Sequence, residues 1–124
     1  MTKEEAIIRA GKIIADRSRW CQQACAVDKR GIKVDPCSTR AVAWDAIGVI
    51  YHVYRLKLDK FEGSSTRINE VAYVTSLLDR CASKRFRKSL NAVNDELGHA
   101  ETLEVFRDGV RAMRAKPKDE QEAA

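Results

Sequence analysis

Asn94-Asp95, His99 and Glu101 place a carboxamide, two carboxylates and an imidazole within one short stretch. At a helix start such groups can work as acid and base, because the helix dipole there favours anions and disfavours the imidazolium. Trp20 and Gln22, in a second dense segment, could complete a ligand site with them. The competing reading is local: Asn94 or Asp95 caps a turn, and Glu101 complements the dipole. The four cysteines, Cys21, Cys25, Cys37 and Cys81, raise zinc as a second chemistry, with His52 or His99 as further ligands. Only Cys21 and Cys25 are close, however, and they fall in apparently extended chain that does not wrap one ion tetrahedrally. They are read as reduced, packed thiols, with no metal and no cofactor.

Two further sets carry charge. Asp45, His52 and Arg55 share a helical face with Gly48 and read as the solvent side of an otherwise apolar helix. Arg80, Lys84, Arg85, Arg87 and Lys88 surround Phe86 and could neutralise phosphates while the ring stacks on a base. They could equally form a cationic helix end with Phe86 as a core anchor. No Gly-rich phosphate loop, Gly-x-Ser-x-Gly elbow or His-Glu-x-x-His motif occurs, and no DNA- or RNA-binding signature accompanies the basic run.

The elements that must position these groups follow from capping and periodicity. Thr2-Lys3-Glu4-Glu5 is a capping box, and Ala6, Ile7, Ala10, Ile13 and Ile14 form one apolar stripe, predicting a helix to about residues 17–19. Residues 24–27 and 32–34 flank Asp28-Lys29-Arg30-Gly31, predicting a short β-hairpin that needs helices behind it. Ser38 or Thr39 is positioned to cap a central helix over residues 38–56, apolar nearly all round, in which Gly48 marks close approach by another backbone. A polar loop over residues 57–65 precedes a third helix over 66–82. A fourth starts at Gly98 or His99 and carries Leu103, Phe106, Val110 and Met113 on one stripe. The expected fold is therefore α+β and predominantly helical, about four helices with one short hairpin. Residues 1–115 form one domain and 116–124 a flexible tail.

Composition sets the outer limits. A chain of 124 residues suits a single core, and 44% apolar residues suffice to build it. The net charge of +5 permits contact with polyanions without requiring it. The N-terminal residues lack the pattern of an export signal, and no membrane span is visible, so the expected location is cytoplasmic.

Beyond these readings, the order of short motifs is distinctive. Trp20-x-Gln22 runs into Asp28-x-x-Gly31 and Pro36. Ala41-Val42-x-Trp44 and Gly48 follow, and later Asn94-Asp95 and His99-x-Glu101. In this the chain resembles a family of small uncharacterised bacterial and phage proteins, a domain of unknown function, over residues from about 18 to 113. It departs where Glu96-Leu97-Gly98 stand in a turn that in that family usually holds Pro and Thr. The resemblance implies a shared fold and brings no activity with it. With no complete catalytic constellation, the reading favours a non-enzymatic binding, adaptor or inhibitor module acting on a protein or small ligand, without contact to a membrane. The alternatives are a small enzyme centred on Asp95, His99 and Glu101, and a weak nucleic-acid binder using residues 80–88.

Overall fold

The computed structural model describes residues 1–58 and 65–116. It is an α+β fold, predominantly helical, with five helices and a short antiparallel strand pair among the described residues. Helix α1, Lys3–Ala15, begins with the expected capping box: Glu5 N–H donates to Thr2 Oγ1 at 3.1 Å, and Thr2 N–H donates to the Glu5 carboxylate at 3.3 Å. A 3-10 turn, Arg17–Arg19, follows, closed by Asp16, which accepts from both the backbone and the hydroxyl of Ser18. The Asp28–Gly31 turn forms as expected, with Asp28 accepting from Arg30 N–H and Ile32 N–H and Gly31 at φ 79°.

The strand partner is different. Strand β1, Ala26–Val27, pairs antiparallel with β2, Ala43–Trp44, while residues 32–34 add only a single bridge between Lys33 and Val27. Pairing with β2 buries Ala43 and Trp44, which the edge segment 32–34 cannot do with Ile32 exposed. In consequence the central helix α2 is shorter than expected, Ala46–Tyr54, and its cap is neither Ser38 nor Thr39 but Asp45. Trp44 is 4% exposed and donates its indole N–H to the Pro36 carbonyl at 2.9 Å, whereas Trp20 is only half-buried.

Helix α3 covers Ser65–Phe86, one turn past the expected end, because Leu78, Ala82 and Phe86 continue the apolar row until Arg87 adopts a left-handed conformation at φ 58°. The expected four helices become five through α4, Leu90–Ala92, capped by Ser89 and held by Leu90 N–H donating to Asp79 at 2.8 Å. A π-helical turn, Val93–Leu97, leads into α5, His99–Arg114. α1 packs on α5 and α2, and α3 packs on the same two. Ile7, Ile14, Val49, Ile50, Val74, Leu78, Val105 and Met113 fill the space between them. No helix among the described residues is long and apolar enough to cross a membrane. Residues 59–64 of the expected loop and 117–124 of the expected tail lie outside the described residues.

Candidate functional site

The π-helical turn carries the most heavily bonded polar side chain among the described residues. Asn94 is fully buried, and Oδ1 of its carboxamide accepts from Trp20 Nε1 at 2.8 Å and from Ala46 N–H at 3.0 Å. Its Nδ2 donates to the Cys21 carbonyl at 3.1 Å and to the Asp95 carboxylate at 3.0 Å. A carboxamide offers two lone pairs and two N–H groups, and all four are used here. Gln22 Nε2 donates to the carbonyls of Asn94 and Asp95 at 3.0 and 3.3 Å, and Gln23 N–H donates to Asp95 at 2.8 Å with Gln23 at φ 63°. Trp20, Gln22, Asn94 and Asp95 therefore meet, although more than seventy residues separate the two segments.

His99 joins the same junction from the first residue of α5. Its ring centroid is 5.1 Å from that of Trp20, and Nε2 lies 2.6 Å from the Ile14 carbonyl. A carbonyl only accepts, so Nε2 carries the proton, and the imidazole ties the start of α5 to the last turn of α1. Glu101 forms no hydrogen bond with Asp95 or His99, but it lines an open surface together with His99, Phe86, Leu103 and Arg107. The groups brought together thus form a tie between the Trp20–Gln23 segment, α1, α2 and the π-helical turn, each engaged with backbone or with a neighbour.

Asp45 is the participant missed at the sequence level. Expected on a solvent face with His52 and Arg55, it is 4% exposed, and its carboxylate accepts Gly48 N–H at 2.6 Å as the cap of α2. An Asp is itself a helix-capping signal, but the apolar run 41–44 before it extends the helical pattern past the true start. Burial pushes its carboxyl up to about 6 against the Gly48 hydrogen bond, with the Asp95 charge adding to the rise. His52 is half-buried, its Nδ1 3.1 Å from the Pro36 carbonyl and its ring 4.2 Å from that of Trp44, while Arg55 is exposed in a left-handed C-cap.

Burial likewise pushes the Cys21 and Cys25 thiols up to about 12 and about 11, and Asp45 raises both further. Protonated thiols are poor nucleophiles, and the Cys21 thiol donates to the Ala24 carbonyl at 3.3 Å. All four cysteines are free and half-buried. Among the described residues no three His, Cys, Asp or Glu side chains are grouped to hold a metal ion.

The basic run is divided. Arg85 grips Asp108 with two hydrogen bonds of 2.6 and 2.8 Å and lies 4.0 Å from Glu104, and Lys88 is 3.3 Å from Glu96. Arg80, Lys84 and Arg87 have no ion pair among the described residues, and Phe86 packs partly buried against the core. Another concave surface lies away from the junction, between the Asp28–Val34 turn and the Thr39–Val42 segment. It carries exposed Ile32 and Val42 among exposed Lys29, Arg30, Lys33 and Arg40. Compared with known protein families, curated proteins and solved structures, the chain matches none.

Proposed function

We propose that this chain is a non-enzymatic binding module, an adaptor or inhibitor that acts in the cytoplasm through a protein partner. The supporting observation is the use made of the polar residues at the junction. Every donor and acceptor of the Asn94 carboxamide is satisfied within the chain, and Gln22, Asp95 and His99 bond to backbone. An acid–base pair acts through groups aimed at a substrate, whereas the hydrogen bonds that these side chains make hold segments of the chain together. The resemblance to small bacterial and phage proteins fits the same reading, since proteins of that size commonly act by binding; that support is by analogy.

The test is quantitative crosslinking of the intact chain in cell extract, followed by reconstitution with the purified candidate. A protein recovered near one per chain, and rebinding when both are pure, supports the module. Recovery of a small molecule instead, with its release from a His99→Gln variant that still folds, would move the function to the junction and reinstate the enzyme or small-ligand alternative.

A further inference from the structure

The surface between the Asp28–Val34 turn and the Thr39–Val42 segment has properties that select a partner. Its concavity holds about 790 Å³, in the range of ligand-binding clefts. Ile32 and Val42 are 56% and 44% exposed and both line it, and large apolar side chains bared in one groove mark a contact surface. Lys29, Arg30, Lys33 and Arg40 rim it, and none of the four is in an ion pair among the described residues. Asp28 is the sole acidic residue of the lining, and its Oδ1 is taken by the N–H groups of Arg30 and Ile32. The rim is therefore an unbalanced positive field around an apolar strip.

The backbone adds a third feature. Val34 N–H donates to the Ala26 carbonyl and Asp28 N–H to the Ile32 carbonyl, at 3.0 and 2.9 Å, on either side of the Val27–Lys33 bridge. In that register the N–H and C=O of Lys33 itself point away from β1, toward the free edge. Neither has a hydrogen-bond partner among the described residues. An exposed edge of this kind accepts an extended chain.

We infer that this groove binds an extended acidic segment of a partner protein, one that sets large apolar side chains among Asp and Glu. The inference rests on the reading of the chain as a protein-binding module and names the chemistry of its partner. Apolar side chains of the segment cover Ile32 and Val42, its carboxylates meet the four cations, and one peptide group docks on Lys33. A nucleic-acid backbone would satisfy the cations but leave Ile32 and Val42 bare, which is why a peptide is favoured over a phosphate polymer.

Fluorescence anisotropy on the full chain at physiological salt tests it, using a labelled peptide of Glu, Asp and Leu. An all-Glu peptide, the Gln/Asn/Leu counterpart and a DNA duplex serve as competitors. The acidic, Leu-containing peptide is expected to bind, and a Lys33→Glu, Arg40→Glu variant to weaken it by roughly tenfold or more. An Ile32→Ser, Val42→Ser variant is expected to weaken it comparably. All four positions are exposed, and unchanged thermal melts would show that both variants fold. Amide shifts on binding should centre on residues 28–42. No binding, equal binding of the all-Glu peptide or DNA, or shifts centred on residues 80–88 would overturn the inference. If the crosslinked partner rebinds these groove variants undiminished, the module reading stands and the groove is removed from it.

Discussion

Asn94 has no spare hydrogen-bonding capacity, which makes it the residue whose loss the fold should feel most sharply for its size. Asn94→Ala leaves the Ala46 N–H without a partner in a buried place and the Trp20 indole N–H without one in a half-buried place. Unsatisfied buried donors cost about 1–3 kcal/mol each, so urea denaturation should show a loss of roughly 2–5 kcal/mol. A loss below about 1 kcal/mol would mean that water replaces the carboxamide. Asp45 gives a prediction in pH. Its carboxyl lies at about 6 in the folded chain against 3.8 for the free side chain, so the folded state holds that proton more tightly. Its contribution to stability is therefore fully present below about pH 4 and declines as the pH rises through about 6. Asp45→Asn keeps a capping oxygen and removes this dependence. Relative to the parent, the variant should gain stability between about pH 4 and about pH 7, as read from urea midpoints. A constant difference across that range would show that the carboxyl titrates alike in both states. Tyr54 offers a simpler case: its buried hydroxyl has no hydrogen-bond partner among the described residues. Tyr54→Phe should leave the melting temperature unchanged or raise it, since no bond among the described residues is lost and a polar group is removed from the interior.

At the scale of elements, the tightest approach at a glycine among the described residues involves Gly48. A Cβ built there would overlap the Cys25 carbonyl, so the first turn of α2 sits directly on the chain that enters β1. Gly→Ala inside a helix ordinarily gains up to about 1 kcal/mol. Here Gly48→Ala should instead destabilise by about 2 kcal/mol or more, since neither backbone can withdraw without breaking the Asp45 N–H bond to the same carbonyl. A thermal melt at or above that of the parent would refute the contact. The approach was legible in the sequence, because an apolar helix tolerates a mid-stretch Gly only for a reason of packing. The start of the helix was not legible. Ala41-Val42-Ala43-Trp44 is apolar enough to extend a helix, and only the availability of β1 as a partner turns Ala43–Trp44 into a strand and leaves Asp45 as the cap. Gly109 repeats the theme between α3 and α5, where an added Cβ would come within 2.6 Å of Leu78.

Across the described residues, the densest basic stretch is partly neutralised. Arg85 and Lys88 are paired with Asp108 and Glu96, which leaves Arg80, Lys84 and Arg87 for an anionic polymer. Three phosphate contacts give a log–log salt slope of about −3 on duplex DNA, and such affinity largely vanishes near 0.15 M salt, about the physiological level. Anisotropy titrations should accordingly find no sub-micromolar binding there, and a steeper slope lost on changing Arg80, Lys84 and Arg87 would favour nucleic acid after all. What the sequence determined by itself is what short-range physics controls. The Thr2–Glu5 capping box, the Asp28–Gly31 turn, the apolar stripe of α1 and the start of α5 at His99 each depend on residues within one or two turns of chain. The candidate group Trp20, Gln22, Asn94, Asp95 and His99 was legible as a set of unusual residues, but its geometry was not. Only the tertiary structure decided that 43–44 rather than 32–34 is the main partner of 26–27, that Asp45 is buried, and that Asn94 bonds Trp20. Each of those outcomes is a choice among distant partners with similar local propensities. It is settled by which pairing buries Trp44 and gives the Asn94 carboxamide its partners at once, a condition on the whole chain that no window of sequence contains.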